Sequence, residues 1–383
     1  MHPFKAASPT DGSSHWLFGG LLLAAPFIAT STAMAQLNSL TTPIDGRTVA
    51  LGESFTGMRG DLATMFYNPA GIAGIEGIHA TYSQRSMDWI SYLSDFRYSS
   101  IQSVVQTPIA VFGAFYNRLS YGELTVSSPT SPEGIGKTSP YDQTLGVTGA
   151  ITAFPGFDLG LSVKGFQYVD LPTGGGGGQG VTTNSTSWAV MVDVGALYTL
   201  SLASGPFSHD LGVGASLQNF GSNAVMSAGN GNPTVSEQPA RFLRLGVSYS
   251  IAIVSPSENS LTPCRLTATG EYRNILNTQY SANGERDYYG WGVELWGFEI
   301  LALRAGWFLS NVDWIYGTAG EPKARYGAGV HLPMHKLGLS VPLAIRADYA
   351  VIKLRDAYGW LGDTKSSLNA FTIGVSYEGN VLE

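Results

Sequence analysis

The sequence predicts an all-β protein: a transmembrane antiparallel β-barrel of about 14 strands with an N-terminal plug or hatch segment. Three observations predict it. Apolar residues alternate with small, polar or charged ones from Gly77 to Tyr377. Charged residues are only 13 % of the 383, well below ordinary globular usage, while Gly (48) and Tyr (19) are abundant. Hydrophobic residues reach 44 % with no linker dividing the chain and no helical span in the alternating region.

Residues 1–35 read as a secretory signal. Lys5 is the only Lys or Arg before an apolar stretch from Trp16 to Ala29, and Ala33-Met34-Ala35 is an A-x-A cleavage site ahead of Gln36. The expected address is the outer membrane of a Gram-negative bacterium, with outer-membrane lipid as the first partner. Cys264 is the only cysteine, so no internal disulfide staples the fold.

Residues 36–74 are the expected plug or hatch, and residues 75–383 the barrel. The stretch from Gly46 to Gly74 is Gly-rich, barely alternates, and closes on Asn68-Pro69-Ala70-Gly71. Pro69 fixes its own φ and pushes Asn68 out of the helical region. Gly71 permits a sharp bend. Asn68, Pro69, Ala70 and Gly71 are therefore the expected hinge that turns the plug into the first strand at the barrel wall.

Strand centres follow near residues 80, 99, 113, 148, 162, 193, 214, 246, 269, 292, 303, 328, 347 and 373. The clearest segments separate two faces. Val190, Val192 and Val194 alternate with Met191, Asp193 and Gly195; Leu245 and Val247 alternate with Arg244 and Gly246. Ile345, Ala347 and Tyr349 alternate with Arg346 and Asp348. A charge facing lipid at mid-depth costs about 2–4 kcal/mol. Lys164, Asp193, Arg244, Glu271, Arg273, Arg304, Arg325, Arg346 and Asp348 are thus expected to face the lumen, as ion pairs that fill it or grip the plug, or as a substrate path. The lumen face otherwise reads as small or charged.

A soluble sandwich also alternates, so the position of aromatics matters. Trp188 and Tyr198 bracket one apolar face, Tyr377 closes another, and Trp89, Tyr121, Trp291, Trp296, Trp307, Trp314 and Trp360 lie at or near strand ends. Amphipathic rings favour that headgroup level. Short connections at Phe154–Phe157 and Trp296–Phe298 fit a periplasmic end. Long ones at Val126–Gln143, Leu171–Ser187, Gly221–Pro239 and Asn311–Lys323 fit extracellular loops.

Little here suggests chemistry. The Gly174–Gly178 run lacks the Lys and helix of a phosphate loop. His331 and His335 are four apart but separated by Pro333, and nothing supplies further ligands, so no metal is expected. Gly214-Ala215-Ser216-Leu217-Gln218 misses the last Gly of a nucleophile elbow. No enzyme activity and no cofactor are expected. The 21 Lys and Arg are scattered, which excludes nucleic acid as a partner.

The combination of Gly46-Arg47, Leu51-Gly52-Glu53, Asp61 and Tyr67-Asn68-Pro69-Ala70-Gly71 resembles the start of the PorV/PorQ family of outer-membrane proteins. That family is itself similar to FadL-type transporters of hydrophobic compounds. The likeness continues through Gln106-Thr107-Pro108 and Leu119-Ser120-Tyr121-Gly122. It implies a component of protein export and surface attachment of the type IX kind, whose partners would be exported proteins and secretion subunits bound through the extracellular loops. The alternative is a FadL-like channel taking up hydrophobic small molecules. Large loops presenting apolar side chains would favour the first. An apolar path inside the barrel would favour the second.

Overall fold

The computed structural model describes residues 39–41, 45–86, 95–128, 131–174, 182–226, 235–254, 260–277, 287–310, 322–353 and 367–377. Helix α1 (Gly46–Ala50), helix α2 (Thr64–Tyr67) and a 3-10 helix (Pro69–Gly74) come first. Strands β1 (Ile78–Ser86), β2 (Phe96–Gln106) and β3 (Val111–Tyr121) follow, then a hairpin of β4 (Leu124–Ser128) and β5 (Ser131–Thr138). After β6 (Tyr141–Phe154) and β7 (Phe157–Val169), β8 (Leu171–Gly174) and β9 (Thr182–Asn184) make a second hairpin. After β10 (Ala189–Ser204) and β11 (Phe207–Gly221), β12 (Ala224–Met226) and β13 (Val235–Glu237) make a third. The chain ends with β14 (Phe242–Ile253), β15 (Cys264–Ile275), β16 (Asp287–Gly297), β17 (Leu301–Ser310), β18 (Lys323–Pro333), β19 (Leu343–Lys353) and β20 (Ser367–Tyr377).

Fourteen of these strands close one antiparallel barrel, with β20 paired to β1 from Ile78↔Tyr377 to Arg85↔Ala370. Each expected strand centre falls inside its own barrel strand. Short turns join strands at one end, hereafter the turn end, where Ile78 and Tyr377 also lie; long connections gather at the loop end. Three long connections expected as plain loops carry the two-stranded hairpins named above.

The alternation works because the two sides of the sheet meet different surroundings. Val147, Leu161, Val213, Leu303 and Val375 point outward, and Leu303 is 64 % exposed. So broad an apolar belt is a surface for lipid, not for water. Inward positions on the same strands, such as Thr148, Ser162, Ser216 and Arg304, are buried.

Strand-end position proved a poor guide to aromatic orientation. Tyr121 is buried, and Trp296 turns inward, with Arg304 5.4 Å from its ring centre. Trp291 and Trp307 stack on the outer wall within their strands rather than at the ends, their ring centres 6.5 Å apart. Trp89, Trp314 and Trp360 lie outside the described residues.

Segment 45–77 sits inside the barrel. Asp45 starts α1 by accepting from Thr48 N–H at 2.7 Å. Asn68 is extended, as the following Pro69 requires, and caps the 3-10 helix by accepting from Ala70 N–H at 3.2 Å. The turn into β1 comes later than the expected hinge, at Gly77, whose φ is +77°. Asn68 instead clamps the plug to the wall: its Nδ2 donates to Thr56 O at 2.9 Å and to Ala196 O of β10 at 3.0 Å.

The two sides of the plug meet the wall differently. Toward β2, β3 and β6 the contact is side chain on side chain: Leu62, Met65, Ile72 and Ile75 pack against Val104, Val111, Phe115 and Ala150. Toward β7–β17 plug backbone lies directly on wall backbone. A Cβ on Gly214 would stand 2.0 Å from Thr56 O, so only glycine leaves the plug room there. Gly52 needs glycine twice over, for its φ of +66° and for a Cβ that would meet Trp307 O at 2.2 Å.

Candidate functional site

Inside the turn-end half of the lumen, six charged side chains close a ring. Arg47 of α1 grips Glu294 of β16 with two parallel bonds, Nε to Oε1 at 2.8 Å and Nη2 to Oε2 at 2.5 Å. Glu294 Oε1 also accepts from Arg304 Nε of β17 at 2.6 Å, and Arg304 Nη1 donates to Asp348 Oδ1 of β19 at 2.6 Å. Asp348 Oδ2 accepts from Arg346 Nε at 2.5 Å. Arg346 Nη1 and Arg47 Nη1 both donate to Asp61 Oδ2, at 2.8 and 2.6 Å, which returns the ring to the plug. Positive and negative members alternate, so each desolvated charge has two opposite neighbours. That arrangement is what burying an ion demands, since a buried charge that lost its partner would be strongly destabilising.

Asp61 shows the effect on titration. Burial disfavours its charged form, but Arg346 and Arg47 hold it well below the usual carboxylate range. Asp45, beside the ring but outside it, goes the other way: burial, and then the nearby Asp61, push its carboxyl up to about 6.

A second polar layer ties the plug to the wall nearer the loop end. Phe55 and Thr56 N–H both donate to Glu271 Oε2, at 2.9 and 3.0 Å, while Arg244 Nη1 donates to Glu271 Oε1 at 2.6 Å. Glu53 of the plug accepts from Arg325 Nη1 at 2.9 Å and pairs with Arg273 Nη1 at 3.5 Å. Gln218 Nε2 and Ser216 Oγ take up Tyr67 O, and Ser248 Oγ takes up Gly57 O at 2.7 Å. Wall side chains thus satisfy irregular plug backbone where water is scarce. Lys164 Nζ donates to Asp193 Oδ2 at 2.5 Å within the wall, and Asp193 Oδ1 accepts from Asn219 N–H at the β11 bulge.

Lys164, Asp193, Arg244, Glu271, Arg273, Arg304, Arg325 and Asp348 are all buried, and Arg346 is largely covered, with 21 % of its side chain exposed. Arg304, Arg346 and Asp348 come together in the ring; Lys164 and Asp193 stay apart from it. Sequence reasoning gave no role to Arg47, Glu53, Asp61 or Glu294. The available signal was Glu294 between outward Val293 and Leu295. For the plug residues the signal was four charges, Arg47, Glu53, Arg59 and Asp61, in an otherwise uncharged stretch.

Seam and plug also meet at Thr372 of β20. Its Oγ1 accepts from Gly46 N–H at 3.0 Å and lies 2.9 Å from Ser83 Oγ of β1. Below the ring a pocket of about 250 Å³ opens at the turn end, lined by Arg47, Asp61, His79, Trp296, His331 and Arg346 among others. His331 packs edge-on against Trp296. Among the described residues no group of three or more His, Cys, Asp or Glu could hold a metal.

The loop-end half of the lumen is lined differently. Phe96 and Tyr121 stack 5.7 Å apart, Phe166 and Tyr168 meet edge-on at 4.9 Å, and Tyr288 and Phe308 lie 5.9 Å apart. Phe242 and Ile275 complete one apolar cluster, and Leu40, Met191 and Ala224 complete another. This corrects the expectation of a small or charged lumen: the lining is charged toward the turn end and aromatic toward the loop end. Arg273 bridges the two zones, 4.2 Å from the ring centre of Tyr288.

No family model and no curated protein sequence matches the chain. The structure is similar to the Ralstonia pickettii toluene transporter TbuX (TM-score 0.49, 13 % identity, 87 % of this chain and 98 % of that one). It is also similar to the Pseudomonas putida toluene transporter TodX (0.49, 12 %, 90 % and 100 %). A third similar structure is the CymD monoaromatic hydrocarbon channel (0.47, 10 %, 90 % and 99 %).

Proposed function

We propose that this chain is a non-enzymatic, plug-gated outer-membrane channel for uptake of hydrophobic small molecules. The observation that supports it is the division of the lumen. An apolar molecule arriving between the loops finds an aromatic surface that welcomes it. The ion-pair ring beneath stops it, because hydrocarbon cannot replace the partners of buried charges.

Release then requires the plug to give way on its softer side. Apolar side chains such as Met65, Leu62 and Phe115 can re-pack by changing rotamer, whereas the glycine-to-backbone contacts of β7–β17 cannot. The export-component reading depends on the loop tips, most of which lie outside the described residues, and it draws no support from the lumen.

The test is accumulation of radiolabelled toluene by cells with an intact outer membrane. Cells carrying the protein should load several-fold faster than cells carrying an unrelated barrel of similar abundance. Equal rates would sink the proposal.

A further inference from the structure

On the inner face of β2 and β3, midway down the wall, three polar side chains form a small unit. Ser100 and Asn117 are cross-strand partners, and Gln102 is two residues along β2. Ser100 Oγ donates to Asn117 Oδ1 at 2.7 Å and accepts from Gln102 Nε2 at 3.2 Å. A hydroxyl has one hydrogen to give, so it fixes both amides. The amide atoms left with no bond at all are Gln102 Oε1, an acceptor, and Asn117 Nδ2, a donor. Neither finds a protein partner among the described residues. Turning both amides over exchanges the roles but still leaves one donor and one acceptor.

Gln102 is 1 % exposed and Asn117 0 %. Leaving such groups unsatisfied is costly, and a barrel that needed only packing here would carry apolar residues. Along their own strands the surroundings are mostly apolar: Val104 and Phe115 toward the turn end, the Tyr98 ring, Leu119 and the stacked Phe96–Tyr121 pair toward the loop end. The polar cross-strand neighbours are engaged with others, Ser83 of β1 with Thr372 and Thr144 of β6 with Ser39. The charges of the second polar layer are engaged elsewhere, Arg244 with Glu271 and Arg273 and Arg325 with Glu53, while buried Arg85 of β1 is the cross-strand partner of Tyr98.

We infer that Gln102 and Asn117 form a recognition site for one neutral hydroxyl group carried by an apolar aromatic molecule. The hydroxyl donates to Gln102 Oε1 and accepts from Asn117 Nδ2, completing both amides at once, while the ring lies against Phe115 and Tyr98. The class of substrate is thereby narrowed from hydrophobic compounds in general to phenol-like ones. The inference rests on the channel reading, but its test requires binding only.

The experiment is calorimetric titration of the purified full-length protein in detergent micelles with p-cresol and with toluene, which differ by one hydroxyl. Wild type should bind p-cresol saturably, and Gln102→Met, which keeps side-chain length, should weaken p-cresol by about five-fold while leaving toluene unchanged. Folding is checked by heat-modifiable gel mobility; should Gln102→Met fail that check, Ser100→Ala, which frees both amides to turn, should weaken p-cresol in the same selective way. Unchanged p-cresol affinity would mean that water alone serves these amides and would overturn the inference. Equal losses for both compounds would overturn it too, since packing and not recognition would be at stake. A lack of toluene uptake by cells would defeat the channel reading without touching this binding result.

Discussion

Arg346 of the wall and Asp61 of the plug, 285 positions apart in sequence, are joined by an Nη1–Oδ2 contact of 2.8 Å. Arg47 donates to the same carboxylate oxygen, so that one atom holds the plug both to its own first helix and to β19.

Asp61→Ala should therefore loosen the plug. It strands two guanidinium groups, and its own side chain is only 3 % exposed. Loss of one partner from a buried pair costs about 3–5 kcal/mol. Urea unfolding in micelles should show a shift of that order. Arg346→Ala, whose side chain is 21 % exposed, should cost less. The double mutant should fall short of the sum, and strict additivity would show that the two residues do not interact.

Arg47→Ala removes three bonds from the plug side of the ring at once. Reconstituted in a planar bilayer, the variant should display open bursts that the wild type lacks. A silent record from correctly folded protein would place the barrier elsewhere.

Gly214→Val attacks the seat from the opposite wall. Its Cβ would overlap Thr56 O, so the plug must shift or the strand must bow. Limited proteolysis should then cut between residues 46 and 74 at a rate at least several-fold above wild type. Val213→Ala, one residue away on the lipid face, should leave that rate unchanged.

The faces of β19 can be read by thiol labelling of a Cys264→Ser background. Cysteine in place of Ile345 or Ala347 should resist a membrane-impermeant reagent, whereas cysteine in place of Arg346 should react from the turn end through the 250 Å³ pocket. Inverted reactivity would reverse the assignment of the wall.

Asp45 makes seating of the plug depend on pH. Its carboxyl is raised from an ordinary value of 3.8 to about 6 in the folded protein. A raised value means that the protonated form favours the fold. Its contribution is fully present below about 3.8 and is lost as pH rises through 6. Between pH 7 and pH 5 protease resistance of the plug should increase in the wild type. Asp45→Asn keeps the helix cap and should flatten that dependence.

Strand positions were legible because lipid and lumen impose opposite chemistry on successive residues. Ile345, Arg346, Ala347 and Asp348 could hardly be arranged otherwise. Aromatic orientation was not legible. In β3 rings occur on both faces, Phe112 and Tyr116 outside, Phe115 and Tyr121 inside, so composition cannot say which surface a ring joins. The ring of ion pairs was half visible. Arg304, Arg346 and Asp348 declared themselves by alternation, but Arg47 and Asp61 belong to a segment with no period from which to infer a face. Their partners lie 247 and 285 residues away, a distance over which local pattern carries no information. The bend at Asn68 is legible from Pro69, but the reach of its side chain to Ala196 of β10 is not.

Thr372 adds an order of events. Its hydroxyl touches Gly46 of the plug and Ser83 of the first strand, and it stands on the last strand to be made. Every wall member of the ion-pair ring likewise comes from residue 294 onward. During biogenesis the plug can only wait, held by its neighbours in early strands, until the final third of the chain arrives. Closing the seam and locking the plug are then a single step, so a barrel zipped in the wrong register would be left with an unfastened plug.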